Sequence, residues 1–130
     1  MIRSVPALLF GLSLLAAYTV GRATAAPPQT PQWVMMFTPG IAWDSTKAPN
    51  LQAHFGNHSA NLARLRSEGR IRLGGRFGPW GLILVDASSE AEARSYFAPD
   101  STLSSGVFRG ELYAWSTIYA GSVGAQPPGR

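Results

Sequence analysis

The sequence contains no cysteine and few charged residues. Without cysteine, the 130-residue chain cannot form a disulfide scaffold, a thiolate zinc site, an iron–sulfur cluster or a cysteine nucleophile. Charged residues make up only 14% of the chain, yet 45% of it is hydrophobic and 11% is aromatic, which excludes an intrinsically disordered protein. A chain of this length has room for one core, and no internal repeat is present. The composition therefore predicts one folded domain that is stabilised by its core alone.

The first 25 residues have the three-part layout of a secretory signal peptide. Arg3 gives a positively charged start, residues 7–20 form an uncharged run rich in Leu and Ala, and Ala23-Thr24-Ala25 fits a cleavage site. As a helix, the uncharged run would reach about 21 Å, short of the roughly 30 Å hydrocarbon core of a membrane. We therefore expect an exported protein, periplasmic or secreted, with no stable membrane anchor after cleavage. An uncleaved anchor is the alternative.

The rest of the chain divides by composition into three parts. Residues 26–32 are rich in proline and are predicted to be a linker, residues 33–120 to be the folded domain, and residues 121–130 to be a flexible tail. Removal of residues 1–25 would take away two of the eleven basic residues and none of the seven acidic ones, so the net charge would fall from +4 to +2. Such a small positive charge does not favour a nucleic-acid partner.

Hydrophobic periodicity predicts the first strand, the first helix and a hairpin. Residues 33–38 form a short apolar run that ends at a Pro-Gly turn, as expected of a buried strand. Asn50 is predicted to cap a helix that ends at Gly69. One face of this helix would carry Leu51, Phe55, His58, Leu62 and Leu65. Residues 71–77 and 81–85 flank a Gly-Pro turn and predict a hairpin. In its first strand an apolar face of Ile71, Leu73, Gly75 and Phe77 would alternate with a polar face.

A second helix and a last strand complete the predicted domain. Ser89 and Glu92 form a capping-box pattern at the start of the second helix, which ends before Asp100, and residues 107–119 predict a long final strand. The order β-α-β-β-α-β indicates an α+β fold of the ferredoxin-like kind, with both helices on one face of the sheet.

The other face of the sheet needs a cover. One face of the final strand carries three large aromatic residues, Tyr113, Trp115 and Tyr119, which is too many for a bare solvated surface. A second subunit, a ligand or a nucleic acid could supply the cover. RNA-recognition modules share this element order, but residues 75–80 lack their basic-Gly-aromatic-Gly-aromatic pattern, so we expect no nucleic acid.

The segment from His58 to Phe77 resembles the YCII-related (YciI-like) domain. That family has a His that opens a helix, Leu residues four and seven positions later and a Gly eleven positions later, followed by a strand that ends in Gly and an apolar residue. Here these positions are occupied by His58, Leu62, Leu65, Gly69, Gly75 and Phe77. The resemblance extends over residues 33–119 and is also carried by Gly81, Glu90-Ala91-Glu92-Ala93, Asp100, Glu111 and Trp115.

The resemblance implies a homodimer and a pocket. It implies a dimeric α/β barrel, in which the sheets of two subunits pack face to face, and a His–Asp pair suspected of catalysis, matched here by His58 and Asp100. Some members are associated with the dehydrochlorination of chlorinated aromatic ring compounds. The chain departs from the family pattern at two positions. Pro99 precedes Asp100, where the family usually has Pro after the Asp, and Arg76 stands where Pro is common.

The residues themselves also point to the same pair. His58 is the only strongly polar residue on the apolar stripe of the first helix, and a buried imidazole needs a hydrogen-bond partner. The carboxylate of Asp100 on Nδ1 would orient the ring and leave Nε2 free to take a proton. The alternative is a purely structural pair. His54 and His58 have the spacing of a metal pair but lack a third ligand, so we predict neither a metal nor a cofactor.

Five arginines occur between residues 64 and 76. One interpretation is that they form a solvated surface. The other is that Arg72 or Arg76 points into the dimer cavity and binds an anionic substrate. Together with Trp115, these two arginines are the predicted substrate-binding residues.

The sequence thus predicts a small exported enzyme that works as a homodimer. His58, oriented by Asp100, would carry out lyase-like general acid/base chemistry on a small aromatic or enol-type molecule. The main alternative is a non-catalytic small-ligand-binding or interaction module on the same scaffold. A haem-binding or oxygen-using barrel enzyme of a related fold is a third hypothesis.

Overall fold

A computed structural model describes residues 29–124 of the chain. The predicted signal peptide lies outside the described residues, as do parts of the predicted linker and tail. The described elements are β1 (Gln32–Pro39), a 3-10 turn (Pro49–Leu51), α1 (Phe55–Ser67), β2 (Ile71–Phe77), β3 (Trp80–Asp86), α2 (Glu90–Phe97), α3 (Ser101–Ser104) and β4 (Phe108–Trp115). None of the helices within 29–124 has the length and apolar character that a membrane crossing requires.

The four strands form one antiparallel sheet in the order β2-β3-β1-β4. Leu65 of α1 and Phe97 of α2 belong to the same buried cluster as Met35, Val85 and Leu112 of the sheet, so both helices pack on one face. The α+β fold is therefore confirmed, and the arrangement is compatible with a ferredoxin-like fold. The opposite face, which we call the open face, carries Val34, Leu84 and Tyr113 at paired positions. Val34 and Leu84 are buried at its centre, whereas Tyr113 is exposed.

Helix α1 begins later than the periodicity predicts. Instead of capping a helix, Asn50 lies in the separate 3-10 turn, and α1 follows His54, whose backbone is left-handed with φ 62°. The side chain of Gln52 explains the break, because it is buried and bonds to the backbone of Asp44 through both its amide nitrogen and its oxygen. The predicted end of the helix is confirmed, since Gly69 adopts φ 70° as a C-terminal glycine should.

Strand β2 contains a bulge that breaks its predicted alternation. The pairing moves from Ile71 opposite Val85 to Leu73 opposite Leu84, which leaves Arg72 without a partner of its own. The prediction of one continuous apolar face was therefore wrong. Ile71 faces the helices. After the bulge, Leu73 and Phe77 face the open side, and Arg76 lies on the helix face of the sheet.

The last strand is shorter than predicted, and the turn before it contains an extra helix. Strand β4 ends at Trp115 because its partner β1 begins at the opposite residue, Gln32, so Tyr119 has no strand to pair with. The stretch between α2 and β4, for which the sequence analysis gives no helix, forms the single helical turn α3. Asp100 caps α3 by accepting a hydrogen bond from the backbone N–H of Thr102 at 3.0 Å.

Candidate active site

His58 and Asp100 meet inside the protein. His58 lies in the first turn of α1 and Asp100 is the cap of α3, and His58 Nδ1 lies 2.6 Å from Asp100 Oδ2. Both residues are buried, Asp100 to 1% exposure. The other carboxylate oxygen, Oδ1, accepts hydrogen bonds from the backbone N–H and from the hydroxyl of Thr102, the latter at 2.6 Å. Both oxygens of the carboxylate are therefore occupied.

Two asparagines of α1 hold this arrangement in place. The Oδ1 of Asn57 accepts a hydrogen bond from the backbone N–H of Ser101 at 2.7 Å, and Nδ2 of Asn61 donates one to the carbonyl of Tyr96 at 3.0 Å. These contacts tie α1 to α3 and α2 on either side of His58. They position the imidazole against its carboxylate, and no motif in the sequence points to them.

The carboxyl group of Asp100 is held in its ionised form. Burial would raise its pKa, but the hydrogen bonds from His58 and Thr102 outweigh burial, and the net effect is a pKa below the ordinary value. An ionised carboxylate can only accept hydrogen bonds, so Nδ1 of His58 must carry the proton. In the neutral imidazole the lone pair then lies on Nε2.

The ring of His58 reaches a pocket of about 340 Å³ with aromatic walls. The rings of Phe37, Phe55 and Phe108 lie with their centres 5.0, 5.6 and 5.2 Å from that of His58. Nε2 of His58 has no hydrogen-bond partner within residues 29–124. Every buried side-chain nitrogen and oxygen of these residues does have a partner, so Nε2 is not one of the buried atoms. Nε2 is therefore open to the pocket.

Arg76 is the second ionisable group in the pocket wall. The described residues that line the pocket are otherwise uncharged: Phe37, Pro49, Phe55, Ser59, Leu62, Gly74, Gly75, Pro79, Trp80, Gly81, Leu82, Ile83 and Phe108. No carboxylate of residues 29–124 lies within ion-pair distance of Arg76. The pocket thus combines a base, a free guanidinium and apolar walls.

The structure places the other two predicted substrate-binding residues elsewhere. Arg72, at the bulge of β2, forms an ion pair with Asp86 and does not line the pocket. Trp115 lies at the end of β4 on the open face, where its Nε1 donates a hydrogen bond to the hydroxyl of Thr117 at 3.0 Å. Of the five predicted site residues, only His58, Asp100 and Arg76 are brought together.

A larger groove of about 720 Å³ offers less chemistry. Asp100 lines it, but its carboxylate is fully enclosed, so only its backbone faces the groove. The groove also contains Arg94 and Arg109, each of which is paired with a glutamate. Within the part of the chain that the structure describes, no group of three or more metal-ligating side chains is present.

Comparisons with known proteins do not assign the chain to a family. No protein-family model matches it, and a search of curated proteins found no match. The geometry around His58 is therefore the main structural evidence on function.

Proposed function

We propose that the protein is a small exported enzyme of the YCII-related kind that uses His58 as a general base and acid. The observation that carries the proposal is the 2.6 Å contact between Nδ1 and the buried carboxylate of Asp100, with Nε2 open to an apolar pocket. A positioned His oriented by a carboxylate on its other nitrogen is the arrangement that general acid/base catalysis requires. The substrate we propose is a small aromatic or enol-type molecule.

The proposed reaction begins with the removal of a proton from a carbon atom beside a carbonyl. Nε2 takes the proton, and the electron pair of the C–H bond becomes an enolate or, in a lyase reaction, forms a C=C bond. In the second case the leaving group departs from the adjacent carbon with its bonding pair. Asp100 stabilises the imidazolium that forms, and this attraction is strengthened because both groups are buried. In the first case His58 is restored when the proton returns to the carbon, and in the second when the imidazolium gives the proton to the leaving group or to water.

The pocket fits a single flat ring. Three phenylalanine rings surround the imidazole, and such walls pack against the faces and edges of an aromatic or enolic ring. A small volume with few polar groups is typical of a ligand site. A non-catalytic binding module would need only this pocket, and the capping of α3 by Asp100 gives the pair a structural role that such a module would share.

A deuterium-exchange experiment separates the two functions. Cyclohexanone and a cyclohexanone carboxylate carry acidic C–H groups, and proton NMR in D₂O measures how fast each is exchanged. We expect exchange with the wild type and only background exchange with His58→Asn, whose side-chain NH₂ can still donate to Asp100. His54→Asn is the matched control and should exchange normally, because Asn tolerates the left-handed backbone at that position. Exchange by His58→Asn at the wild-type rate would contradict the proposal, and binding without exchange would favour the ligand-binding module.

We also propose that two copies of the chain pack through their open faces. Four large aromatic residues remain between 41% and 52% exposed on the sheet: Phe77, Trp80, Tyr113 and Trp115. They form two pairs at opposite corners of the open face, Phe77 with Trp80 on β2 and β3, and Tyr113 with Trp115 on β4. Exposed aromatic residues on one face of a domain favour an interaction site. Packing of two sheets face to face would cover these residues.

Replacement of Trp115 by Glu should therefore produce monomers. A carboxylate on the open face would be buried without a partner in the dimer, and this cost would favour dissociation. Sedimentation velocity at micromolar concentration measures the outcome. Tyr119→Glu is the control, since Tyr119 is 92% exposed and lies beyond the sheet, and it should stay dimeric. A wild-type protein that sediments as a monomer would show that the dimer is wrong.

A further inference from the structure

We infer that the His58 pocket selects anionic substrates, and that Arg76 binds the carboxylate of a single-ring acid whose C–H group faces Nε2. This inference names the substrate class of the proposed function and rests on the same pocket. It follows from the position of Arg76, from the absence of a neutralising partner and from the space beside it.

The bulge in β2 is what brings Arg76 to the pocket. After the bulge, Arg76 pairs with Gly81 of β3, and Gly81 pairs in turn with the buried Phe37 of β1. Residues opposite one another in an antiparallel sheet share a face, so Arg76 and Phe37 belong to the helix face, where His58 also lies. A regular β2 that kept Ile71 on the helix face would have turned Arg76 to the open side.

The charge of Arg76 is free to act on a ligand. The two arginines of β2 differ in this respect, because Arg72 is paired with Asp86 whereas no carboxylate within 29–124 pairs with Arg76. His58 is the only other ionisable group in the lining, and the carboxylate of Asp100 is enclosed behind it. A guanidinium binds a carboxylate through two parallel hydrogen bonds, which fixes both the position and the orientation of the ligand.

Gly81, which is opposite Arg76 in the sheet, leaves space on the helix face. A Cβ atom there would lie 3.7 Å from its nearest neighbour, the carbonyl oxygen of Gly75, and 4.0 Å from Cβ of Phe37. These are ordinary contacts, and the backbone of Gly81 does not have a positive φ. Neither crowding nor backbone conformation demands glycine here. Its effect is to leave room for a ring between Phe37 and Arg76.

Benzoate and benzamide test the inference, because they have nearly the same shape and differ in charge. Titration of the purified protein followed by NMR should show binding of benzoate that is tighter by up to about fivefold, as expected for one solvent-accessible ion pair. Arg76→Gln should abolish the preference by weakening benzoate alone. Arg72→Gln, a matched change on the same strand, should preserve it. Gly81→Val should weaken both ligands, because its side chain would fill the space for the ring.

Four results would overturn the inference: equal binding of the two ligands by the wild type, no binding of either, a preference that Arg76→Gln retains, or loss of the preference in Arg72→Gln. Cyclohexanone has no carboxylate, so its deuterium exchange depends on His58 and not on an anion site at Arg76. A protein that exchanges cyclohexanone but does not prefer benzoate keeps the proposed function and loses this inference. A protein that prefers benzoate but exchanges nothing keeps the anion site and loses the acid/base function.

Discussion

The Asp100→Asn variant is expected to fold and to lose deuterium exchange by roughly 10²- to 10⁴-fold, the usual contribution of a positioned general base. An Asn side chain can still accept the hydrogen bond from Thr102 through its oxygen, so the cap of α3 is retained. Its NH₂ group would then face His58 and donate to Nδ1. The imidazole would have to carry its proton on Nε2, and the nitrogen that faces the pocket would no longer have a lone pair.

The matched control is Asp86→Asn. Asp86 pairs with Arg72 at the surface and does not line the pocket, so this variant should exchange at the wild-type rate. Near-ultraviolet circular dichroism of both variants checks that the fold is intact. An Asp100→Asn protein that is folded and fully active would show that the carboxylate does not orient the base, and the mechanism would have to be abandoned.

The Asp100→Ala variant is expected to lose about 3 kcal/mol of unfolding free energy. The change removes the acceptor of the buried Nδ1–H of His58, the oxygen that accepts both hydrogen bonds from Thr102, and the cap of α3. Urea denaturation monitored by tryptophan fluorescence measures the loss. Asp44→Ala is the control, because Asp44 is partly exposed and its contacts lie in the loop before α1, and its effect should be much smaller. Equal losses of unfolding free energy in Asp100→Ala and Asp44→Ala would contradict the prediction that the buried pair of His58 and Asp100 stabilises the fold.

The same pair predicts the direction of a pH effect. The pKa of Asp100 is lower in the folded protein than in the unfolded chain, where it is about 3.9. Its stabilising contribution is therefore present above about pH 4 and is lost as the pH falls through the lower, folded value. The difference in unfolding free energy between wild type and Asp100→Ala should narrow in acid. A difference that grows below about pH 4 would mean that the folded pKa is raised instead.

Local chemistry made several features predictable from the sequence. Ser89 and Glu92 are three residues apart, and the predicted cap exists as a 3.1 Å hydrogen bond from the backbone N–H of Glu92 to the hydroxyl of Ser89. Gly69 ends α1 because a left-handed residue there needs glycine. His58 was identifiable because it is the one strongly polar residue on the apolar stripe of the first helix. A buried imidazole needs a hydrogen-bond partner, and Asp100 supplies one.

Features that depend on distant partners were not predictable. The bulge at Arg72 reflects the register between β2 and β3, and the alternation of β2 taken alone indicated the wrong face for Arg76. The late start of α1 depends on the contact of Gln52 with Asp44.

The cap of α3, by contrast, was predictable from the sequence, since Asp100 followed by Thr102 is a common helix-start pattern.

The tautomer of His58 decides whether Nε2 can act as the base. The chain has only two histidines, so a long-range proton–nitrogen correlation spectrum resolves both imidazoles, and the His54→Asn variant assigns them. At a pH where the rings are neutral, the account predicts that His58 carries its proton on Nδ1, bonded to Asp100, and that Nε2 is unprotonated. A spectrum in which His58 carries its proton on Nε2 would contradict the account, because the nitrogen in the pocket could not then act as a base.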